Sequence, residues 1–451
     1  MRAIRAGFVG FGEINTPREI IERKVSEAQK TLEAEGLELV TTAPVSDDPE
    51  GSDVARALED LAGQEFDLLI LCLAGWIPSH AVIAIADRFR HTPMILLGLT
   101  GWEEDDRFVT TADQAGTTAL RKPMVDLGYT FKYIPTFRGE DLPVERIMSY
   151  AKAARAASML RGARIGTMGT RDMRLYGTQH DGVSLRAQIG PEVEPFEMLE
   201  MVQAMDEIDE ADVEALSAQV RERWEFTKDP QPGTIENTVR LYLAVHGKVA
   251  ERGFEAISLI DVDGVKKLLG FAPAGVFMLL HEEDGVCTVP ENDIPGSVTQ
   301  LITRYLTGQI GAYMEFYEFQ RDGMLMGVPD YVPTEVVDGP VRVMPTAFGE
   351  FGEGLLNVSE VKTGPVTLAR LTHTGDRYMM HIVTGEAKTP RAWEEAGWTP
   401  PAPQLPSLEI VLDGPVEDFI AQVLSQHYII SYGDNTEALK DLCEILGVEV
   451  M

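Results

Sequence analysis

Apolar, β-prone runs alternate with amphipathic, helix-prone segments from the start of the chain. AGFVGFG leads into TPREIIERKVSEAQKTLEAEG, LELVTTAPV into GSDVARALEDLAGQ, and FDLLILCLAGW into SHAVIAIADRFR; TPMILLGLTG follows. Strands that are apolar on both faces need cover on both, and crossover helices supply it. The pattern therefore predicts a doubly wound parallel sheet. Thr16 is expected to cap the first helix, with Pro17 at its first position, Glu19 completing a capping box and Gly36 ending it.

A second series starts near residue 163, where ARIGTMGTRDM again runs from a strand into a glycine turn. AISLIDVDG and DGVCTVPE read as further strands, with helices such as TIENTVRLYLAVHGKVAERG between them. From about residue 330 the texture changes. Stretches rich in Pro and Gly enclose short alternating strands such as TGPVTLARLTHTGDRYMMHIVTGEA and SLEIVLDG. The fold class expected is α/β: two successive doubly wound parallel-sheet domains, followed by a β-rich, barrel-like C-terminal domain closed by helices. The domain ranges are 1–160, 161–330 and 331–451.

A length of 451 residues agrees with more than one core. The formal net charge of −33 repels phosphate backbones and anionic lipid, and the longest basic patch is GVKKLLG, so neither nucleic acid nor a membrane surface is an expected partner. Cys72, Cys287 and Cys443 are odd in number and far apart, which suits a reducing cytoplasm better than a disulfide framework. MRAIRAGFVGFGEIN lacks the apolar core of a secretory signal, and no run approaches the roughly 18 apolar residues of a membrane span.

Four loops at strand ends carry candidate chemistry. Gly10 and Gly12 supply the first two glycines of a dinucleotide fingerprint, but Asn15 stands where the third belongs, so an ordinary βα turn is the better reading. The stretch TRDMRLYGTQHDG holds Arg171, Arg174, Tyr176, Gln179 and His180 after a strand, where α/β proteins bind ligands. These side chains can hydrogen-bond a polyhydroxylated or anionic molecule; a solvated, self-paired loop is the plainer alternative. Trp76, with His80 nearby, also follows a buried strand and can stack on a sugar face or cap a core.

The fourth loop is VPENDIPG. GVCTVP reads as a strand, GSVTQLITRYLTG as a helix begun near Pro295 and ended by Gly308, and IGAYMEFYEF as the next strand. A right-handed crossover is expected to bring that strand back into the same sheet in parallel, so that Glu291 and Glu315 converge at one edge. Two converging carboxylates make a hard-metal site or an acid/base pair, or else belong to a generally acidic surface. His427, in LSQHYIISYGDN, lies between a helix and a strand, while His373 and His381 flank a turn. Local pattern does not choose a third ligand among them.

PENDIPGSVTQLI resembles the Glu-x-Asp-x-x-Gly-(Ala/Ser)-(Leu/Val)-Thr segment of the L-fucose/L-arabinose isomerase family. The acidic residue downstream at Glu315 and the C-terminal QHYIISYGD are similar as well, as is the three-domain order. The resemblance implies that Glu291 and Glu315 are metal ligands that also form the catalytic acid/base pair, with His427 as third ligand. It implies Mn2+, or Mg2+ or Co2+, and a homo-trimer or homo-hexamer with sites between protomers. It implies aldose–ketose isomerisation through an ene-diol(ate), with Arg171, Arg174, Tyr176, Gln179, His180 and Trp76 on the rest of the sugar. YMEFYEF departs from the Asp-Val-Arg context of L-fucose isomerases, so the substrate stays open between a neutral aldose and a 6-sulfo sugar such as sulfoquinovose. The competing readings are a metal-dependent aldolase and a non-catalytic, two-lobed sugar-binding protein.

Overall fold

The structure, a computed structural model, describes residues 2–328, 331–347, 352–390 and 406–451. The core of the second Pro-rich stretch, residues 391–405, lies outside the described residues. The chain gathers into two compact units, Met1–Ser158 with Lys440–Leu446, and Met159–Leu439 with Gly447–Met451.

The first unit contains strands β1 (Ile4–Phe11), β2 (Leu37–Thr41), β3 (Leu68–Leu73), β4 (Met94–Gly98), a small hairpin of β5 (Trp102–Glu104) and β6 (Arg107–Val109), and β7 (Phe131–Pro135). Its main sheet has the order β2-β1-β3-β4-β7 and is parallel throughout. Helices α1 (Arg18–Ala34) and α5 (Val144–Gly162) cover one face; α2 (Ser52–Leu61), α3 (Ser79–Arg88) and α4 (Asp113–Asp126) cover the other. Gly10 and Gly12 let α1 lie directly on β1, since a Cβ there would come within 2.3 Å of Val25 and 2.4 Å of Ile21. Their role is close packing. Pro17, not Thr16, precedes the first turn of α1, and no side chain caps it. Gly36, in the left-handed region at φ 91°, follows its last residues.

The second unit holds a parallel sheet of β8 (Arg164–Met168), β9 (Glu192–Phe196), β11 (Ala256–Leu259) and β12 (Cys287–Val289), in the order β12-β11-β8-β9. Around it lie α6 (Gly182–Gln188), α7 (Met198–Glu207), α8 (Glu210–Arg223), α9 (Thr234–Arg252), a π-helical segment (Asp261–Leu269), α10 (Ala274–Asp284) and α11 (Ile294–Thr307). A small sheet joins β10 (Glu225–Phe226), β15 (Arg342–Ala347) and β16 (Glu353–Asn357). The third sheet closes on itself. β13 (Ala312–Phe319), β14 (Gly323–Gly327), β19 (Ser407–Leu412), β18 (Arg377–Lys388), β17 (Gly364–Thr374) and β20 (His427–Tyr432) form a six-stranded antiparallel barrel, with β21 (Glu449–Val450) added alongside β18. A short 3-10 turn (Thr334–Val336) and helices α12 (Val416–Gln422) and α13 (Thr436–Leu446) complete the described elements.

The expected crossover is corrected here. β13 does not return beside β12; it enters the barrel between β20 and β14, antiparallel to both. A strand buried on both faces reads as continuous apolar residues, whereas AYMEFYEF mixes polar with apolar positions, as a strand covered on one face does. Met314 packs into the barrel core while Glu315 points to the opposite face. The barrel also takes strands from before residue 331, since β13 and β14 are built from residues 312–327.

Candidate active site

Glu291, Glu315 and His427 come together in the second unit, although they start from different sheets. Glu315 on β13 and His427 at the head of β20 are directly paired residues, so both side chains leave the same face of the barrel. A register shift between Phe316 and Glu318 follows immediately, a common device for re-aiming side chains beside a site. Glu291 arrives from the turn after β12. There it and Asn292 both adopt left-handed backbone, at φ 65° and 52°, a conformation that non-glycine residues occupy at a cost.

That turn is held from several sides. The Glu291 N–H donates to Asp261 Oδ1 at 2.8 Å, and the Asn292 N–H donates to the Leu259 carbonyl at 3.2 Å. Asn292 Nδ2 donates to Thr167 Oγ1 and to the Met168 carbonyl, both at 2.9 Å. Asp172, in the loop after β8, accepts the N–H groups of Val262 and Asp263 at 2.7 Å each. The loops after β8, β11 and β12 are thus stitched into one rim at the carboxyl edge of the parallel sheet, the usual place for a ligand in such folds.

His427 Nε2 stands 3.6 Å from Glu315 Oε2 and 3.8 Å from Glu291 Oε2. Both distances exceed a hydrogen bond. Glu291 Oε2 is buried and has no hydrogen-bond partner. Burial, with Asp261, Asp293, Glu315 and Asp172 nearby, pushes the Glu291 carboxyl up to about 9. Burial likewise pushes His427 down to about 3, so its imidazole is neutral with a lone pair to offer. Two carboxylates and a neutral imidazole suit Mn2+, Mg2+ or Co2+, and a cation between them would remove the cost of the stranded oxygen. Among the described residues no group of three or more His, Cys, Asp or Glu side chains stands so as to hold a metal ion. Donors sharing one such cation would lie about 3 Å apart, and the two carboxylate distances to His427 exceed that by under about 1 Å.

Asp293 completes the Glu-x-Asp pattern but is already saturated. Its Oδ1 accepts from Arg370 Nη2 at 2.9 Å and the Gly296 N–H at 3.0 Å; its Oδ2 accepts from Arg370 Nη1 at 2.6 Å and the Tyr313 hydroxyl at 2.9 Å. Despite burial, the Arg370 guanidinium holds this carboxyl below its ordinary value. The Tyr313 ring stacks on His427 with centroids 4.3 Å apart.

Sequence reasoning missed Arg370, Tyr313 and Asp261. Arg370 left one signal, a lone cation inside the apolar run VTLARL; Asp261 left another, an acid directly after a buried strand.

The expected substrate residues are placed more loosely. Arg171 stacks on Tyr176 at 5.1 Å, Tyr176 itself is 83% exposed, and Gln179 Nε2 donates to the Thr170 carbonyl at 3.4 Å. Arg174 is left-handed at φ 57°, and burial lowers the His180 pKa. All five belong to the loop after β8, which also carries Asp172 and whose Gly177 carbonyl accepts from Arg370 Nη2 at 3.4 Å. Trp76 belongs to the first unit, at the carboxyl end of β3, and is 38% exposed. His373 stacks on Tyr378, and His381 Nδ1 is bonded to the Tyr428 hydroxyl at 2.6 Å. Neither belongs to the cluster.

Fold and cluster define the class: an α/β protein with parallel sheets and a closed barrel, bearing an acid–imidazole site. No family model matches the chain. Among curated proteins it is similar to the L-arabinose isomerase of Shouchella clausii, 22% identical over 315 residues, which are 68% of this chain and 63% of that protein. It is similar to that of Leuconostoc mesenteroides, 26% identical over 289 residues, 59% and 58% of the two chains. A Nocardioides L-arabinose isomerase is 22% identical over 375 residues, 78% and 72%. The match thus spans 63% and 58% of the first two relatives' own length. These relatives are all L-arabinose isomerases, similar to this chain at 22–26% identity. Against solved structures, an ABC transporter solute binding protein from Burkholderia multivorans aligns at 10% identity over 69% of this chain and 95% of that one. Its TM-score is 0.18.

Proposed function

We propose that this chain is a metal-dependent aldose–ketose isomerase in which Glu291, Glu315 and His427 hold a divalent cation and the two glutamates move the proton. One observation carries the reading: a buried, unpartnered carboxylate oxygen of Glu291 faces the same imidazole nitrogen as Glu315. The similarity to L-arabinose isomerases supports the reaction class. Mn2+, or Mg2+ or Co2+, would supply Lewis acidity that polarises a sugar carbonyl and stabilises negative charge as it develops.

Converting an aldose to a ketose removes a proton from C2 and delivers one to C1, by way of an ene-diol(ate). A carboxylate within reach of both carbons performs both transfers. Glu291 and Glu315 divide that work from the two sheets that carry them. Asp261 and Asp293, both already hydrogen-bonded, hold the Glu291 turn rather than react.

Arg171, Arg174, Tyr176, Gln179 and His180 meet the far end of the sugar, with Trp76 supplied across a protomer boundary of a homo-trimer or homo-hexamer in the cytoplasm. The frame is two parallel-sheet domains, 1–160 and from residue 161 on, and a C-terminal barrel domain that also takes β13 and β14 from residues 312–327. The substrate is a neutral aldose of the L-fucose or arabinose type, or a 6-sulfo sugar whose sulfonate Arg171 and Arg174 receive by charge-assisted hydrogen bonds.

Incubating Mn2+-loaded protein with a panel of such aldoses in D2O tests the proposal. A ketose product, with deuterium entering beside the carbonyl where solvent exchanges, is the expected result. Carbon–carbon cleavage products would replace the isomerase reading with an aldolase, and untouched sugar that nonetheless binds would leave a binding protein.

A further inference from the structure

Asp293 lies where three elements of the second unit meet, and its bonds to Arg370 and Tyr313 cross between them. It caps α11 through the Gly296 N–H, and it sits two residues beyond Glu291 in the same turn. Arg370 reaches it from β17 and Tyr313 from β13; these strands flank β20, which begins at His427. Arg370 is 1% exposed and Asp293 is fully buried. Gly296 leaves the room for them, since a Cβ there would fall 2.9 Å from the Asp293 carboxyl carbon and 3.0 Å from Arg370 Nη1.

We propose that the Arg370–Asp293 pair, with the Tyr313 hydroxyl, is a positioning device that fixes the Glu291 turn against the barrel strands bearing Glu315 and His427. The inference rests on the metal-site reading above. The bonds from Asp261 and Asn292 tie the Glu291 turn to its own sheet's rim, whereas Glu315 and His427 belong to the barrel, and side chains behind metal ligands usually fix their orientation. A guanidinium is suited to the task because its fork grips both carboxylate oxygens at once and so sets direction as well as distance. Lysine supplies the charge without the fork. Tyr313 adds a second constraint: its ring lies on His427 while its hydroxyl holds Asp293, so one side chain touches both halves of the site.

The test uses the whole chain, the variants Arg370→Lys and Tyr313→Phe, and two measurements. The first is the Mn2+ dissociation constant, from the electron paramagnetic resonance of free Mn2+; the second is the melting temperature after chelation. Arg370→Lys is expected to weaken Mn2+ binding by about 10–100-fold, and Tyr313→Phe by about tenfold with its metal-free melting temperature retained. Should Arg370→Lys fail to fold, Tyr313→Phe alone decides the matter. Variants that bind Mn2+ within about twofold of the parent overturn the positioning role while leaving the metal site standing. A parent chain that binds no Mn2+ overturns both.

Discussion

Replacing Glu291 with Gln should stabilise the metal-free protein and at the same time abolish its stabilisation by metal. Burial and the neighbouring acids push the metal-free carboxyl up to about 9, against 4.5 for an ordinary glutamate. At about pH 7.5 the unfolded side chain has lost its proton while the folded one keeps it, and each unit of that difference costs about 1.4 kcal/mol. Over about three units the ceiling is about 4 kcal/mol. The side chain is 16% exposed, so residual water lowers the expected penalty to about 2 kcal/mol. Glutamine carries no charge to lose and escapes it.

The sign follows from the raised value: the folded state is unpenalised below 4.5 and loses stability as pH rises through about 9. Chelated Glu291→Gln should therefore melt about 2–4 °C above the chelated parent at about pH 7.5, with the gap nearly closed at about pH 5. Saturating Mn2+ should reverse the order, because it stabilises the parent by about 4 kcal/mol at a thousandfold excess over its dissociation constant and the variant by far less. Differential scanning fluorimetry across this pH and metal grid reads every arm. A chelated variant that melts at or below the parent, or a gap that ignores pH, would refute the account of Glu291 as a carboxylate stranded without its cation.

Binding a cation at Glu291 must expel its proton, so Mn2+ affinity should climb about tenfold per pH unit from about pH 7 and flatten above about 9. Titration calorimetry in buffers of different ionisation heat counts the proton, and a flat profile would remove Glu291 from the ligand set. Glu315→Gln and Glu291→Gln should each lower turnover of the responsive aldose by about 100-fold or more; wild-type rates in both would end the site assignment. Gly12→Ala should cost the first unit about 1–3 kcal/mol, because its Cβ meets Ile21 at 2.4 Å. An unchanged melting temperature there would contradict the close packing of α1 on β1.

The limits of α11 were legible because they depend on neighbours in the chain. Asp293 caps it, Pro295 fits its first turn, and Gly308 ends it at φ 80°, each by local chemistry. The reading of Thr16 as a cap used the same rules and failed, since the chain before α1 is already extended at Pro17 and no side chain supplies the bond. Glu291 and Glu315 were paired through an expected crossover that the barrel replaced, and surface acids fitted their pattern equally well; His427 entered as third ligand through resemblance to a family, its local pattern favouring an ordinary core histidine. Asp293 and Arg370 could not be matched from sequence, being 77 positions apart with no periodicity joining them.

The sequence by itself determined the wound sheet of the first unit, because continuous apolar strands alternating with amphipathic helices have few other ways to hide both faces. It also determined that acids would cluster after β12. Tertiary structure alone decided that β13 joins a barrel and not the neighbouring parallel sheet. Strand pairing is a long-range choice among edges, set by which faces remain uncovered once the helices have packed. That choice brings an imidazole of β20 opposite Glu315 and lays both against a turn from another sheet.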